Sequence, residues 1–193
     1  MKNILQHAIF AAEEAGKLIL NFYQSEFIVK HKGFGNPVTE ADLEADAYLK
    51  LFLTEKYLDY GWLSEETRDS ADRLTKERVW VVDPLDGTKE FIEGVPNFAI
   101  SIGLVKHGEP ILGVIHNPVT KDTYTAAKGL GMHLNGTSTT ICQESKLKKM
   151  NILNSRAETR RGLWQPYIDH FKELIPIGSI ALKLAMAAAN KAD

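Results

Sequence analysis

The run Val79-Trp80-Val81-Val82, apolar and β-prone at every position, leads straight into Asp83-Pro84-Leu85-Asp86-Gly87-Thr88, and this junction constrains the fold strongly. Such a run reads as a buried strand, and Asp83-Pro84 reads as the turn that stops it. Two carboxylates then lie at the strand's end. Asp83 and Asp86, separated by Pro-Leu, can come with the Leu85 carbonyl to one side. Those hard oxygen donors suit Mg²⁺, with waters and a substrate phosphate completing its shell. Gly87 lets the backbone approach closely, and a short helix opened by Thr88 through Lys89-Glu90-Phe91 would offer free N–H groups to a phosphate oxygen. The competing reading of the fragment is an ordinary type I turn, where Asp first, Pro second and a nearby Gly are common. Ser64-Glu65-Glu66-Thr67 favours function only if the fold sets Glu65 alongside, because acidic pairs are usually solvated and Ser64 and Thr67 equally suit helix caps.

Elsewhere, Ile4, Leu5, Ala8, Ile9, Ala12, Ala15, Leu18, Ile19 and Phe22 recur at three- and four-residue steps, which predicts an amphipathic helix from Ile4 to Phe22. A short strand is expected over Phe27-His31, then a loop over Gly33, Gly35, Asn36 and Pro37. Thr39, with Asp42 three residues on, has the N-cap pattern of a helix reaching about Tyr57, so Asp42 falls in its first turn. Phe98-Lys106 and Pro110-His116 flank His107-Gly108-Glu109 as a hairpin, and Asp122-Ala127 and Gly131-Leu134 are further strands around Lys128-Gly129. The middle is therefore mainly antiparallel sheet. Helix is expected over Thr159-Lys172, followed by a short strand and a small-residue-rich helix from Ser179 onward.

Lys+Arg (23) nearly balances Asp+Glu (25), and a net charge of -2 gives no broad attraction for a nucleic acid polymer or a membrane. Any anion must be bound locally. A single cysteine, Cys142, excludes an internal disulfide and a thiolate zinc cluster and fits a cytoplasmic location. The opening residues carry no apolar signal core, so Asn135-Gly136-Thr137 reads as a tight turn rather than a glycosylation acceptor. The six histidines lack zinc-protease spacing and read as surface or hairpin residues. No glycine-rich loop ends in Gly-Lys-Ser or Gly-Lys-Thr. Ser64, Ser101 and Ser155 lack a nucleophile-elbow context. Arg156, Arg160 and Arg161 form a modest basic cluster, read as a solvated helix face before a substrate contact.

Taken in order, Thr39-Glu40-Ala41-Asp42, Ser64-Glu65-Glu66-Thr67 and Asp83-Pro84-Leu85-Asp86-Gly87-Thr88 resemble the signature of the inositol monophosphatase superfamily, which includes 3'(2'),5'-bisphosphate nucleotidases. The resemblance continues through Gly94-Val95-Pro96-Asn97-Phe98, Ser101-Ile102-Gly103, Gly113-Val114-Ile115 and Gly178-Ser179-Ile180-Ala181-Leu182-Lys183. It implies an α/β sandwich of alternating helix and sheet layers, with residues 1–145 as the metal-binding half and 146–193 opening a second half. It further implies a lithium-sensitive phosphatase using two or three Mg²⁺ ions on a small phosphorylated metabolite, and a possible homodimer. Glu65, Asp83 and the Leu85 carbonyl would hold one ion, with Asp83 and Asp86 sharing a second. Asp42 and Thr88, with Glu65, would serve the attacking water. Asp86, Gly87, Thr88, Gly178, Ser179 and Ile180 would meet the substrate.

The family pattern runs on to a Trp-Asp pair that completes the second metal site, whereas the tryptophans here precede Leu63, Val81 and Gln165. The chain is therefore expected to be part of a longer protein. A metal-binding remnant or partner subunit without catalysis is the alternative. Within the family, Lys89-Glu90-Phe91-Ile92 leans toward the bisphosphate nucleotidases, with inositol 1-phosphate as the other substrate.

Overall fold

The computed structural model describes residues 1–33 and 36–193. Helix α1 (Lys2–Phe22) buries Ala8, Ala11, Ala12, Ala15 and Ile19, a stripe of mostly small side chains that lets it lie close against α2 (Glu40–Lys56). Between them, β1 (Val29–Gly33) and β2 (Asn36–Thr39) pair as an antiparallel ribbon. Thr39 caps α2, and the Asp42 carboxylate accepts the Thr39 N–H at 2.7 Å and its hydroxyl at 2.5 Å. This capping box ties Asp42 to the helix start instead of leaving it to solvent.

Strand β3 (Gly61–Ser64) pairs in parallel with β4 (Arg78–Asp86), which leads into the short helix α3 (Thr88–Ile92). An antiparallel meander follows: β5 (Ala99–Lys106), β6 (Glu109–Asn117), β7 (Asp122–Ala127), β8 (Gly131–Leu134) and β9 (Thr137–Thr139). These seven strands form one sheet in sequential order. The chain then forms β10 (Asn151–Ser155), α4 (Arg156–Arg160), β11 (Glu173–Ile177) and α5 (Ile180–Ala188), with β10 and β11 a separate parallel pair.

Trp80, Val82, Ile100, Ile102, Leu104, Leu112 and Val114 pack with the inner sides of α1 and α2. Each large side chain buried in such an interior contributes about 1.5–3 kcal/mol. The opposite face carries Ala99, Ile115 and Tyr124 against Leu182 and Ala185 of α5 and Ile177 of β11. The result is the layered α/β arrangement expected: a helix pair, a sheet, then α5 with the small parallel pair.

Several expectations need correction. Strand β4 does not stop at Asp83-Pro84 but continues to Asp86. Asn36 and Pro37 belong to β2 rather than to a loop, and Gly35 lies outside the described residues. The helix expected over Thr159-Lys172 is replaced by α4 and a 3-10 turn at Gln165–His170, because Gly162 adopts a φ of 75° and Pro166 cannot donate an intrahelical bond. Of the two places expected for the histidines, surface or hairpin, His116 takes the second, buried on β6. Arg156 and Arg160 are not simply solvated but paired with acids of α3 and its C-cap. The Asn135-Gly136 turn is as expected, with both residues at positive φ between β8 and β9.

Candidate active site

The site forms where β4 meets α3. Side chains on a strand alternate between faces, so residues three apart, such as Asp83 and Asp86, would normally point to opposite sides. In the register with β5, Asp83 faces Ser101 and Asp86 faces Ala99, three steps on β4 against two on its partner. This bulge resets the alternation and puts both aspartates on one side. It also houses Pro84, whose missing N–H costs nothing where the ladder is already interrupted.

Gly87 then turns the chain into α3 with a φ of 105°. A Cβ there would also lie 3.1 Å from the Asn97 carbonyl oxygen, so any side chain would meet backbone as well as strain. Thr88 opens α3, and its hydroxyl lies 3.0 Å from Asp42 Oδ1 and 3.1 Å from the Leu85 carbonyl. One hydroxyl proton thus faces two acceptors from separate elements. Asp42 is 1% exposed, and burial holds its carboxyl above the usual range although the bonds from Thr39 and Thr88 pull the other way.

Glu65 reaches Asp83 through the sheet. Ser64 is opposite Val82 in the parallel pairing, and the Glu65 N–H continues the ladder to the Val82 carbonyl at 3.2 Å. The Asp83 carboxyl is pushed up to about 8, first by burial, then by repulsion from Glu65 and Asp86, with a hydrogen bond shared with Glu65 acting in the same direction. The Leu85 N–H, 3.0 Å from Asp83 Oδ1, opposes that shift.

Asp86 has other partners too. Its Oδ2 accepts the Ser179 hydroxyl and the Ala181 N–H, each at 2.6 Å, so the start of α5 is docked on it. Ser179 is fully buried in that contact, whereas Ile180 is 64% exposed. Gly178 is a glycine for a steric reason: a Cβ there would lie 1.8 Å from Cδ of Glu90. Glu90 accepts from Arg156 Nη1 at 3.0 Å, and Glu93 receives Arg156 Nη2 at 2.9 Å and Arg160 Nη1 at 2.8 Å. Neither these pairings nor Asp46, whose carboxylate takes the hydroxyls of Ser64 and Thr67, was singled out from the sequence. A second acid four residues after Asp42, on the same helical face, was the available signal.

The sequence-singled residues Asp42, Glu65, Asp83, Leu85, Asp86, Gly87 and Thr88 are thus linked at one end of β4, with Gly178-Ser179-Ile180 beside Asp86. An acidic cluster beside a glycine-flanked helix start, set between a layered sheet and its helices, suits a hydrolase that handles phosphate through a cation. The model of the inositol monophosphatase family matches residues 1–193, so the chain belongs to that family and is a phosphoric monoester hydrolase. Inositol monophosphatase 2 of Solanum lycopersicum is 34% identical over 205 residues, covering 100% of this chain and 77% of that protein. The 3'(2'),5'-bisphosphate nucleotidase CysQ of Aggregatibacter actinomycetemcomitans is 39% identical over 133 residues, 68% of this chain and 49% of that one. An IMPase from Thermotoga maritima superposes with a TM-score of 0.90 at 28% identity, over 100% of this chain and 75% of that structure.

Family membership carries a divalent-metal cofactor, and the donor set fits one. A carboxyl crowded by neighbouring acids, as Asp83 is by Glu65 and Asp86, is relieved by a dication placed among them. Among the described residues, no three acidic, histidine or cysteine side chains form a closed cage. Asp86 is instead turned toward Ser179 and Ala181, which agrees with repulsion among the three acids.

Proposed function

We propose that this chain is the catalytic part of a Mg²⁺-dependent phosphomonoesterase that uses activated water and no covalent phosphoenzyme. The observation that carries the reading is the bulge that puts Asp83 and Asp86 on one side next to Glu65, with Asp83 raised to about 8. Glu65, Asp83, Asp86 and the Leu85 carbonyl would hold two or three ions. When bound, Mg²⁺ lowers the pKa of water, polarises phosphoryl oxygens and neutralises the leaving oxygen.

The protein's own groups then orient and accept. The Thr88 hydroxyl, within reach of Asp42, orients a water for in-line attack, and Asp42 receives its proton through Thr88; the burial that raises its pKa makes it the better base. The N–H groups at Gly87 and Thr88 are directed at a phosphate oxygen. The Gly178-Ser179-Ile180 segment faces the remainder of the substrate, with Ile180 its open side chain.

Lys89-Glu90-Phe91-Ile92 and the nucleotidase relative favour a 3'(2'),5'-bisphosphate nucleotide as substrate. Inositol 1-phosphate is the second reading, favoured by plant inositol monophosphatases that match along the whole chain. Phosphate release from adenosine 3',5'-bisphosphate and from inositol 1-phosphate, with and without Mg²⁺ and with lithium added, separates the two. Asp83→Asn should abolish Mg²⁺-dependent turnover, and unchanged turnover would rule the site out.

A further inference from the structure

Asp46 lies one helical turn beyond Asp42 on the inner side of α2 and is 7% exposed. Its two oxygens serve different partners: Oδ1 accepts the Ser64 hydroxyl and Oδ2 the Thr67 hydroxyl, the residues on either side of Glu65-Glu66. Ser64 Oγ also accepts the Glu66 N–H at 3.3 Å. With the Glu65 N–H bonded to Val82, the turn is held before, at and after Glu65. A carboxylate this deeply placed is unfavourable unless its lone pairs are filled, and an apolar residue could pack α2 on the sheet without that cost.

We infer that Asp46 is a positioning residue for the hydrolytic reaction: it fixes the Ser64–Thr67 turn so that the Glu65 carboxylate stands beside Asp83. This rests on the proposed reading of Glu65 and Asp83 as cation donors. Asp46 acts at one remove, through two hydroxyls and the backbone, as the outer partners of metal ligands do. It leaves the Asp42–Thr88 pair untouched, so its effect falls on cation affinity before proton transfer.

The test is direct titration of the whole chain with Mn²⁺, a paramagnetic stand-in for Mg²⁺, followed by electron paramagnetic resonance, with circular dichroism confirming that each variant is folded. Asp46→Asn keeps the shape and gives up one acceptor; Thr67→Val removes one donor and Thr67→Ser restores it. The expected result is about 10–100-fold weaker Mn²⁺ binding in Asp46→Asn and a smaller loss in Thr67→Val. Thr67→Ser should bind like the parent. A merely structural role would lower stability and leave the affinity of the folded protein unchanged. Asp46→Asn and Thr67→Val that bind within about twofold of the parent, while Asp83→Asn has lost binding, overturn the inference. If Asp46→Asn does not fold, the Thr67 pair decides alone. Parent-like binding by Asp83→Asn would instead remove the metal-site reading itself.

Discussion

Gly178→Ala tests whether the packing between α3 and the segment leading into α5 is as tight as described. The added methyl would fall 1.8 Å from Cδ of Glu90, 2.0 Å from Oε1 and 2.3 Å from Oε2, so the carboxylate must move. A flexible side chain at the surface would do so cheaply, but Glu90 is 7% exposed and bonded to Arg156 at 3.0 Å. Forcing one methyl into such a contact costs about 1–3 kcal/mol. For a chain of this size, each 1 kcal/mol lowers the melting temperature by about 2–4 °C. Urea unfolding followed by tryptophan fluorescence reads the cost, and the same substitution in a Glu90→Ala background assigns it. With the carboxylate gone, Gly178→Ala should become nearly neutral. A loss below about 0.5 kcal/mol, or an equal loss in both backgrounds, would refute the steric argument.

His116 is 6% exposed, and burial lowers its pKa to about 4 from an ordinary value of 6.5. The unfolded chain then binds a proton that the folded one refuses, so this part of the stability is complete above pH 6.5 and about 3 kcal/mol is lost as the pH falls toward 4. Urea unfolding across that range should show His116→Gln with a shallower pH slope than the parent; an unchanged slope would contradict the assignment. Arg156→Ala, which strands a buried Glu90, should cost about 3 kcal/mol, whereas Arg160→Ala, at a half-exposed pair, should cost less than about 1 kcal/mol. Equal costs in denaturant titrations would show the network is not graded by burial. In chelator, Asp83→Asn should unfold at no lower urea concentration than the parent, because a neutral amide relieves repulsion from Glu65 and Asp86; a lower midpoint would mean the acids are not crowded.

Helices α1 and α2 were legible because periodicity and a capping box are local signals, and the meander from β5 to β8 because its turns carry their own residues. Pro84 misled: read alone it ends a strand, and only the pairing with β5 reveals a bulge that accepts it. Likewise the acids Asp42, Glu65, Asp83 and Asp86 could be singled out by motif, but the residues that place them could not. Asp46 meets partners 18 and 21 residues away, and Arg156 meets one 66 residues away. Such distances leave no pattern in a single sequence. The burial of His116 was not legible because its place opposite Thr123 on the neighbouring strand depends on the β6–β7 register.

The extra residue in β4 also decides which heritable changes the site can survive. Were the same four residues to run as a regular strand, every acid would remain in the sequence; yet three unbroken steps of the pleat would turn the Asp86 carboxylate to the side of Trp80 and Val82. A charge would then enter the apolar interior without a partner. Across Asp83 to Asp86 the site therefore depends on the bulge itself, and changes that straighten β4 should be purged where substitutions that leave the bulge in place are tolerated.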